Sequence, residues 1–412
     1  MSGTTIEEMR ARPDWGKLQS NARHGQAYRT MRALGISREE AIAVHRAIRE
    51  GGEPESVAAA PDADPIEDTG QRDEIRRLRA ALRDLRREQY SHRKVREEAF
   101  ELAGKPCKAP RWTHTSRAAK GSAGTPTLML SDLHWGEVVR AHEVWGLNEY
   151  SVEIAHQRLR RVVTSTIDLL RSHIVSPGGY PGIVLALGGD MVSGGIHPEL
   201  LASDELPPIA AALDLRDQLV ASIRLLADEF GHVYVPCVDG NHDRNTIKAH
   251  HKRRVEQSFG WLIYCLLERA FAGDDRVTVQ VSEETDLLYD CAGTRYLLTH
   301  GDSLGVRGGN GIIGALGPIM RGRHKVASSS AAVGRGHDVL LMGHWHQYLA
   351  LRNVRVNGSL KGYDEYARGS RFAYEPPSQS LWITHPSHGI TISMPVLADD
   401  LREAVGAFSA DM

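Results

Sequence analysis

"TLMLSDLHWGE", residues 127–137, begins as an apolar run and ends with an aspartate and a histidine that are one residue apart. The run is typical of a buried strand, and side chains two residues apart on a strand point to the same side of the sheet. A strand that continues through His134 would therefore place the Asp132 carboxylate and the His134 imidazole side by side. An isolated D-x-H pair is more often a loop aspartate beside an incidental histidine. The chain must therefore supply further ligands before the pair indicates a metal site.

Four more apolar runs of strand length end in side chains that can bind metal. They end with Asp190 in "LGGD", Asn241 and His242 in "DGNHD", His300 in "LLTHGD", and His344 and His346 in "MGHWH". Helical patterns separate the early runs, and Ser151 is the predicted N-cap of the first helix. This alternation predicts a layered α/β fold with helices outside the sheets, in which ligands collect beyond the carboxyl ends of the strands. The stretch 380–396 is predicted to complete the second sheet.

The predicted ligands are nitrogen and oxygen donors without thiolate, a set that suits Mn²⁺, with Fe or Zn²⁺ as alternatives. Seven ligands are too many for one tetrahedral ion, so we expect two divalent ions about 3.5 to 4 Å apart, sharing one carboxylate. Asp190 is the predicted bridge. Adjacent residues of an extended loop point apart, so Asn241 could bind metal while His242 faces the substrate. Glycines precede the ligands at turns where a side chain would block close backbone approach, namely Gly188, Gly189, Gly240 and Gly343.

The blocks D-x-H, G-D, G-N-H-D, H-G and G-H-x-H occur in this order between about residues 125 and 360, and the chain resembles the calcineurin-like metallophosphoesterase superfamily there. The resemblance implies a two-sheet α/β sandwich flanked by helices, with a two-metal centre. It assigns Asp132, His134 and His346 to one ion, Asn241, His300 and His344 to the other, and Asp190 to both. His242 falls at the position of the phosphate-facing proton donor.

Two departures from the family narrow the branch that the sequence resembles. Protein phosphatases of the superfamily carry Asp and Arg where this chain has Ser193 and Gly194, so a protein phosphatase is disfavoured. A purple acid phosphatase would need a tyrosine ligand after the bridging aspartate, and none is present. Asp239, just before "GNHD", is interpreted as a loop carboxylate or one that supports the ligands.

The segment before the predicted phosphoesterase domain divides into four parts. Residues 1–50 are predicted to be a small helical, helix-turn-helix-like region, interpreted either as a DNA reader or, preferably, as a helical hairpin. Residues 51–70 have the composition of a flexible acidic linker. Residues 71–104 are predicted to form a basic helix with a short coiled-coil-like seam, which would allow a homodimer. A linker at 105–124 precedes the phosphoesterase domain at 125–398, and 399–412 are a C-terminal tail.

Composition excludes several classes of protein. The 412 residues carry 50 Lys and Arg against 52 Asp and Glu, so composition alone indicates neither a nucleic-acid nor a membrane partner. The four cysteines are widely spaced, which argues against a disulfide framework or a thiolate zinc site. No apolar run reaches membrane-spanning length, and the start of the sequence is unlike a signal peptide. We therefore expect a cytoplasmic protein without a membrane partner.

Two basic inserts favour a nucleic-acid substrate. One follows the third block, with Arg244 and Arg254, and the other, glycine-rich and suited to a mobile lid, carries Arg307 and Arg321. Arg244, Arg307 and Arg321 are the predicted substrate-binding residues. The tryptophans considered for base stacking are Trp135, Trp261 and Trp345, of which Trp261 fits a core position better.

The sequence therefore predicts a phosphodiesterase that acts on nucleic acid, in which hydroxide held by the metal pair would attack phosphorus and His242 would protonate the departing oxygen. One alternative is a small-molecule phosphoesterase acting on nucleotides or phosphomonoesters. The other is a phosphoesterase fold that serves as a non-catalytic scaffold.

Overall fold

A computed structural model of the chain describes residues 42, 45, 108–114, 122–304 and 316–400. The chain divides into two units, residues 1–84 and 85–412. In the first unit the structure describes two helical residues, exposed Ile42 and buried His45. The predictions for 1–50, 51–70 and 71–104 otherwise lie outside the described residues, as do much of 105–124 and the tail beyond residue 400. The domain boundaries stay predictions.

Eleven strands lie within the described part of the second unit. They are β1 (Thr125–Leu130), β2 (Ile183–Leu187), β3 (Val233–Cys237), β4 (Val277–Val281), β5 (Asp286–Cys291), β6 (Thr294–Thr299), β7 (Val339–Met342), β8 (Leu349–Leu351), β9 (Val354–Val356), β10 (Ser378–His385) and β11 (Gly389–Leu397).

Six α-helices accompany these strands in the same described ranges. They are α1 (Val152–Asp168), α2 (Pro198–Ser203), α3 (Pro208–Phe230), α4 (Phe259–Ala270), α5 (Leu316–Ala332) and α6 (Glu365–Gly369). Ser151 caps α1 as predicted, since its hydroxyl accepts the Ile154 N–H at 3.3 Å. Short single turns lie at Arg111–His114, Ala141–Val144 and Val255–Gln257, and one wide turn, Leu169–His173, extends α1.

The first sheet has six strands in the order β11-β10-β1-β2-β3-β4. The pairs from β1 to β4 are parallel, and β10 joins β1 in antiparallel orientation. Every residue of β1, β2 and β3 is buried, as expected for central strands covered on both faces. Because β10 and β11 belong to this sheet, the prediction that residues 380–396 complete the second sheet is wrong.

The second sheet has five strands in the order β5-β6-β7-β9-β8. The pairs β6–β7 and β7–β9 are parallel, and the edge strands β5 and β8 are antiparallel to their neighbours. Strand β7 is short because only its four apolar residues, Val339–Met342, are extended before the glycine and histidines begin.

Alternating side chains of β1 divide the core into layers. Leu128 and Leu130 pack with residues of α1, α3 and α4, whereas Met129 packs with Tyr296 and Leu341 of the second sheet. The outer face of the second sheet packs on α5 through residues such as Ile319. The prediction of an α/β fold with two sheets flanked by helices is confirmed at this level. None of the described helices is long and apolar enough to cross a membrane.

Candidate metal centre

The predicted ligands lie in five loops that follow β1, β2, β3, β6 and β7, so the carboxyl ends of strands from both sheets contribute. Backbone hydrogen bonds join these loops directly. The Leu133 N–H donates to the Asp190 carbonyl at 2.9 Å, and the Gly343 N–H donates to the His300 carbonyl at 2.9 Å. The first bond lies within the first sheet's loops and the second within the second sheet's, and the His344 N–H, which donates to Asp132 Oδ1 at 2.8 Å, joins the two sheets at the edge that carries the candidate ligands.

Five of the seven predicted ligands have left-handed backbone conformations, with φ between 47° and 67°: Asp132, His134, Asp190, His344 and His346. Strand β1 ends at Leu130 and β7 at Met342, so the interpretation that strand alternation aligns each D-x-H or H-x-H pair is wrong. The left-handed turns aim the side chains instead. Asp and His tolerate this region better than most residues, but such strain persists only where surrounding contacts fix it, typically at functional sites.

The first ligand group consists of Asp132, His134 and His346, whose donor atoms all lie within 4.8 Å of one another. The Nε2 atoms of His134 and His346 are 3.1 Å apart, and Asp132 Oδ1 lies 3.3 Å from His346 Nε2. The Asp132 carboxylate is held by the Ser131 hydroxyl and by the His344 N–H at 2.8 Å. Three donors on two loops therefore converge on a point that a cation could occupy.

The second ligand group consists of Asp190, His300 and His344, again within 4.8 Å of one another. Asp190 Oδ2 lies 3.0 Å from His300 Nε2, and Asn241 Oδ1 lies 3.1 Å from that same nitrogen. His300 Nδ1 lies 2.9 Å from the Gly188 carbonyl, which fixes the ring and turns Nε2 toward the group. The structure thus brings Asn241 to the group where the sequence placed it.

One oxygen of Asp190 lies near both groups. Oδ2 is 3.0 Å from His300 Nε2 in the second ligand group and 4.0 Å from His134 Nε2 in the first. The other oxygen, Oδ1, accepts the His242 N–H at 2.7 Å and is therefore already used. This arrangement allows a single carboxylate to serve two ions.

Two glycines bring the backbone against the ligand carboxylates. A Cβ at Gly240 would lie 2.1 Å from Asp190 Oδ1, and one at Gly343 would lie 2.2 Å from Asp132 Oδ2. Both contacts are shorter than any real carbon–oxygen approach, so a side chain at either position would displace a ligand. The prediction that glycines precede the ligands for close backbone approach is confirmed at these two positions.

Burial and charge set the protonation of the ligands. Burial lowers the pKa of His134 to about 4, and the same cause, joined by the charge of His300, lowers the pKa of His344 to about 4. Burial also acts to lower the pKa of His300. The negative charge of Asp190 and its hydrogen bond to His300 outweigh burial, so the pKa of His300 is raised to about 10. For Asp132, burial raises the pKa, yet His346 outweighs it and holds the pKa below its ordinary value.

A buried chain of charges supports the first ligand group. His134 Nδ1 lies 3.3 Å from Glu137 Oε2, and the Lys361 ammonium donates to Glu137 at 2.8 Å and lies 2.6 Å from Asp364. The Lys361 side chain is 4% exposed. Burial lowers the pKa of Lys361, but Asp364 and Glu137 outweigh burial, so its pKa is raised and it stays charged. A carboxylate placed as Glu137 is, beside the second ring nitrogen of a metal-binding histidine, fixes the orientation of the ring and raises its basicity.

Arg254 supports the second ligand group by joining two of its loops. Its guanidinium donates to Asp239 at 2.9 Å and to both oxygens of Asp302, at 2.7 and 3.1 Å. Asp239 is two residues before Asn241, and Asp302 is two residues after His300. The prediction that Arg254 lines a substrate groove is therefore not what the structure shows, because its donors are directed at these carboxylates. The interpretation of Asp239 as a supporting carboxylate fits this contact.

His242 lies beside the ligands of the first group. Its ring centroid is 4.6 Å from that of His134, and its Nδ1 lies 2.9 Å from the Ser193 carbonyl. Burial lowers the pKa of His242. Asp243 fastens the same loop, since its carboxylate accepts the N–H groups of Met191, Val192 and Gly240. With Nδ1 on a carbonyl, only Nε2 of His242 is left to meet a substrate.

The predicted substrate-binding residues have different positions. Arg244 donates to the carbonyls of Asn241, Thr246 and Ile247, so it organises its own loop. Arg321 is exposed on α5, and Arg307 lies outside the described residues. Of the tryptophans considered for stacking, Trp135 and Trp261 are buried, so neither can stack a base, and Trp345 is half-buried.

Sequence reasoning missed Glu137, Lys361, Asp364 and the role of Asp243. Glu137 could have been found, since it follows His134 by three residues within the first block. Lys361 and Asp364 lie more than 200 residues later in sequence and belong to no motif, so no local pattern identifies them.

The donor set fits a pair of divalent cations. It combines imidazole nitrogens with carboxylate and amide oxygens, while the described cysteines Cys237, Cys265 and Cys291 are buried away from it in the core. Nitrogen and oxygen donors of this kind suit Mn, Fe or Zn, and the geometry does not select among them.

No family model matches the chain, and no curated protein matches it. Among solved structures, a single and a double point mutant of Vps29 from Entamoeba histolytica match at 12% and 11% identity. Each alignment covers 66% of this chain and 98% of the other, with TM-scores of 0.26 and 0.28. A TM-score this low carries no information about what this chain does.

Proposed function

We propose that the chain is a dimetal phosphoesterase that hydrolyses phosphodiester bonds of nucleic acid. The observation that carries the proposal is the position of Asp190 Oδ2 between two histidine-rich ligand groups, 3.0 Å from His300 Nε2 and 4.0 Å from His134 Nε2. The order of the five motif blocks, which resembles calcineurin-like metallophosphoesterases, supports the same class.

Two bound divalent ions would polarise a phosphoryl group and supply a nucleophile at neutral pH. The chain's own residues would bind the two ions and transfer the proton. Asp132, His134 and His346 would hold one ion, and Asn241, His300 and His344 the other, with Asp190 shared. His242 would deliver a proton from Nε2 to the departing oxygen, since its Nδ1 is directed at the Ser193 carbonyl.

Exposed cations on the two basic inserts support a polymeric substrate over a nucleotide. Lys248 and Lys252 of the first basic insert are exposed, as is Arg321 on α5. Exposed cations near an open site can follow a phosphate backbone.

The test compares hydrolysis of single-stranded DNA, duplex DNA, RNA, bis-p-nitrophenyl phosphate and p-nitrophenyl phosphate in the presence of Mn²⁺. We expect polynucleotide cleavage that weakens steeply with salt, and turnover of the diester above that of the monoester. Activity confined to p-nitrophenyl phosphate and mononucleotides would instead identify a small-molecule phosphoesterase, and no activity on any ester would favour a scaffold.

His242→Ala tests the proton donor. We expect turnover to fall by about 10²- to 10⁴-fold while bound metal is retained, because general acid catalysis contributes this much and His242 is not a ligand. His388→Ala is the matched control, since His388 is exposed in the turn between β10 and β11. Loss of metal in His242→Ala would show that His242 is a ligand and refute its role as the donor.

A further inference from the structure

The exposed aromatic side chains of the described residues are clustered. Only four aromatic residues in those ranges are exposed by more than about a third: Trp145 at 54%, Tyr366 at 73%, Phe372 at 45% and Tyr374 at 40%. Tyr366, Phe372 and Tyr374 lie within nine residues of one another, on α6 and the segment that follows it. Exposed aromatic residues gathered in one place, in a chain with 6% aromatics overall, indicate a binding surface.

One ring contact joins two of these residues, and contacts with Tyr363 and Arg368 hold the other two. The rings of Tyr366 and Phe372 lie 5.9 Å apart at 78°, and that of Tyr374 lies 5.9 Å from Tyr363. The Arg368 guanidinium sits 4.8 Å above the Trp145 ring, which brings the turn after Ala141–Val144 to α6. We call Trp145, Tyr366, Phe372 and Tyr374 the aromatic platform.

The backbone that carries the platform is fixed. Asp364 caps α6, since its carboxylate accepts the Ala367 N–H at 2.7 Å, and the Phe372 N–H donates to the Ala367 carbonyl at 2.9 Å. The platform therefore presents its rings without first having to order the chain, which limits the entropy lost on binding.

Both ends of segment 364–375 are attached beside the first ligand group. At one end, Asp364 lies 2.6 Å from Lys361, which contacts Glu137, the residue next to His134 Nδ1. At the other end, the Glu375 carboxylate accepts the N–H of Tyr348, two residues after His346. These two anchors place the backbone of the platform next to the loops that carry the first ligand group.

We propose that the aromatic platform stacks unpaired bases of a single-stranded nucleic acid whose backbone enters the metal centre; this inference rests on the proposed phosphodiesterase function. Aromatic faces bind any base, and only unpaired bases offer their faces, because those of a duplex are already stacked. Arg371 is exposed next to Phe372 and supplies a cation for the backbone.

The experiment measures binding of labelled single strands, DNA and RNA of matched sequence, and of the corresponding DNA duplex, to the metal-free full-length protein by fluorescence anisotropy. The double variant Tyr366→Ala/Phe372→Ala is expected to bind at least about tenfold more weakly, since each stacked base contributes on this scale. The dependence of affinity on salt should keep its slope in this variant, because stacking releases no counterions, whereas Arg371→Ala should reduce the slope.

Two controls make the result specific. Ile209→Ala removes an apolar side chain that is 62% exposed on α3 and should leave affinity within twofold of the unmodified protein. Tyr366→Trp keeps an aromatic face and should bind at least as well as the unmodified protein. Equal affinity for a duplex, or unchanged affinity in the double variant, would overturn the platform. A larger effect on RNA than on DNA, or the reverse, would assign the strand.

Hydrolysis of bis-p-nitrophenyl phosphate separates this inference from the proposed function. In the double variant, the ratio of oligonucleotide turnover to bis-p-nitrophenyl phosphate turnover should fall about tenfold or more. If the unmodified protein with Mn²⁺ does not hydrolyse the small diester, the proposed function fails while the binding measurement still decides the platform. If it does and the ratio is unchanged, the function stands and the platform is wrong.

Discussion

The first ligand group and the second ligand group each lie against a cation held between two carboxylates. Behind Asp132, His134 and His346 the cation is Lys361, between Glu137 and Asp364. Behind Asp190, His300 and His344 it is Arg254, between Asp239 and Asp302. Glu137 follows His134 by three residues, so Lys361 fastens one ligand loop to the segment of Asp364. Asp239 and Asp302 both lie two residues from a ligand, so Arg254 fastens two ligand loops to each other.

The two supports differ in their exposure to water. Lys361 is 4% exposed and both of its partners are buried, whereas Arg254 is 17% exposed and a cavity of about 20 Å³ borders it. Arg254 also makes three directed hydrogen bonds in a fixed fork, which a lysine ammonium does not. The first group therefore depends on a lysine sealed between two buried carboxylates, while the second depends on the geometry of a guanidinium near solvent.

The largest effect is expected where the two groups meet. Asp190→Asn should lower turnover by about 10³-fold or more. The shared carboxylate would hold both ions, and the two ions together would lower the free energy of the transition state by several kcal/mol. Metal analysis of the purified variant should find fewer than two ions per chain. Two ions and full activity in this variant would show that the groups are independent and that Asp190 does not join them.

The next effect separates the two supports by stability. Lys361→Met should lower the free energy of unfolding by about 3–5 kcal/mol, because Glu137 and Asp364 would remain buried without their cation. Arg254→Met should cost about 1–3 kcal/mol, since Asp302 can be partly hydrated and burial raises the pKa of Asp239, so that a proton can replace the lost cation there. Denaturant unfolding of the metal-free proteins measures both. The exposed Lys248→Met is the control, expected within about 0.5 kcal/mol of the unmodified protein.

Equal costs for Lys361→Met and Arg254→Met would mean that the difference in burial does not set the energy of the two supports. A larger cost for Arg254→Met would reverse the comparison and make the guanidinium fork the stronger one.

The smallest effect concerns metal affinity at one group. Glu137→Gln should weaken binding of one ion by about 10- to 100-fold, as is typical when a carboxylate behind a metal-binding histidine is removed. The second ion should be held as before, because Glu137 does not contact that group. Titration calorimetry with Mn²⁺ resolves the two events, and Asp302→Asn is the matched change behind the other group. If Glu137→Gln weakened both ions equally, the two supports would not be separate.

The ligand types could be predicted from sequence because each is encoded at the end of one apolar run. Asp132, His134, Asp190 and His300 need only the run before them to be recognised, and parallel strands bring such ends to one edge of a sheet. The reason given for the convergence of the D-x-H pair was wrong, however. Strand β1 ends at Leu130, and left-handed turns, which periodicity does not reveal, orient the side chains.

Charge runs gave a less reliable prediction than strand ends. The neighbours of Arg254 in sequence predict that it faces the substrate, yet its guanidinium binds Asp239 and Asp302. Trp135 was considered for base stacking but is fully buried, and its indole N–H donates to Asp214 at 2.6 Å. A side chain's exposure depends on what packs over it, and sequence spacing does not report that.

The sequence by itself determined the layered α/β architecture, the strand ends that carry ligands, and a donor set of nitrogen and oxygen. Only the tertiary structure decided that Asp190 Oδ2 lies near both ligand groups, that Lys361 and Arg254 support them, and that Trp145 comes to α6 through Arg368. The physical reason is range. A strand and its terminal ligand are local features of the chain, whereas a buried cation must find its carboxylates wherever folding brings them, here up to 224 residues away.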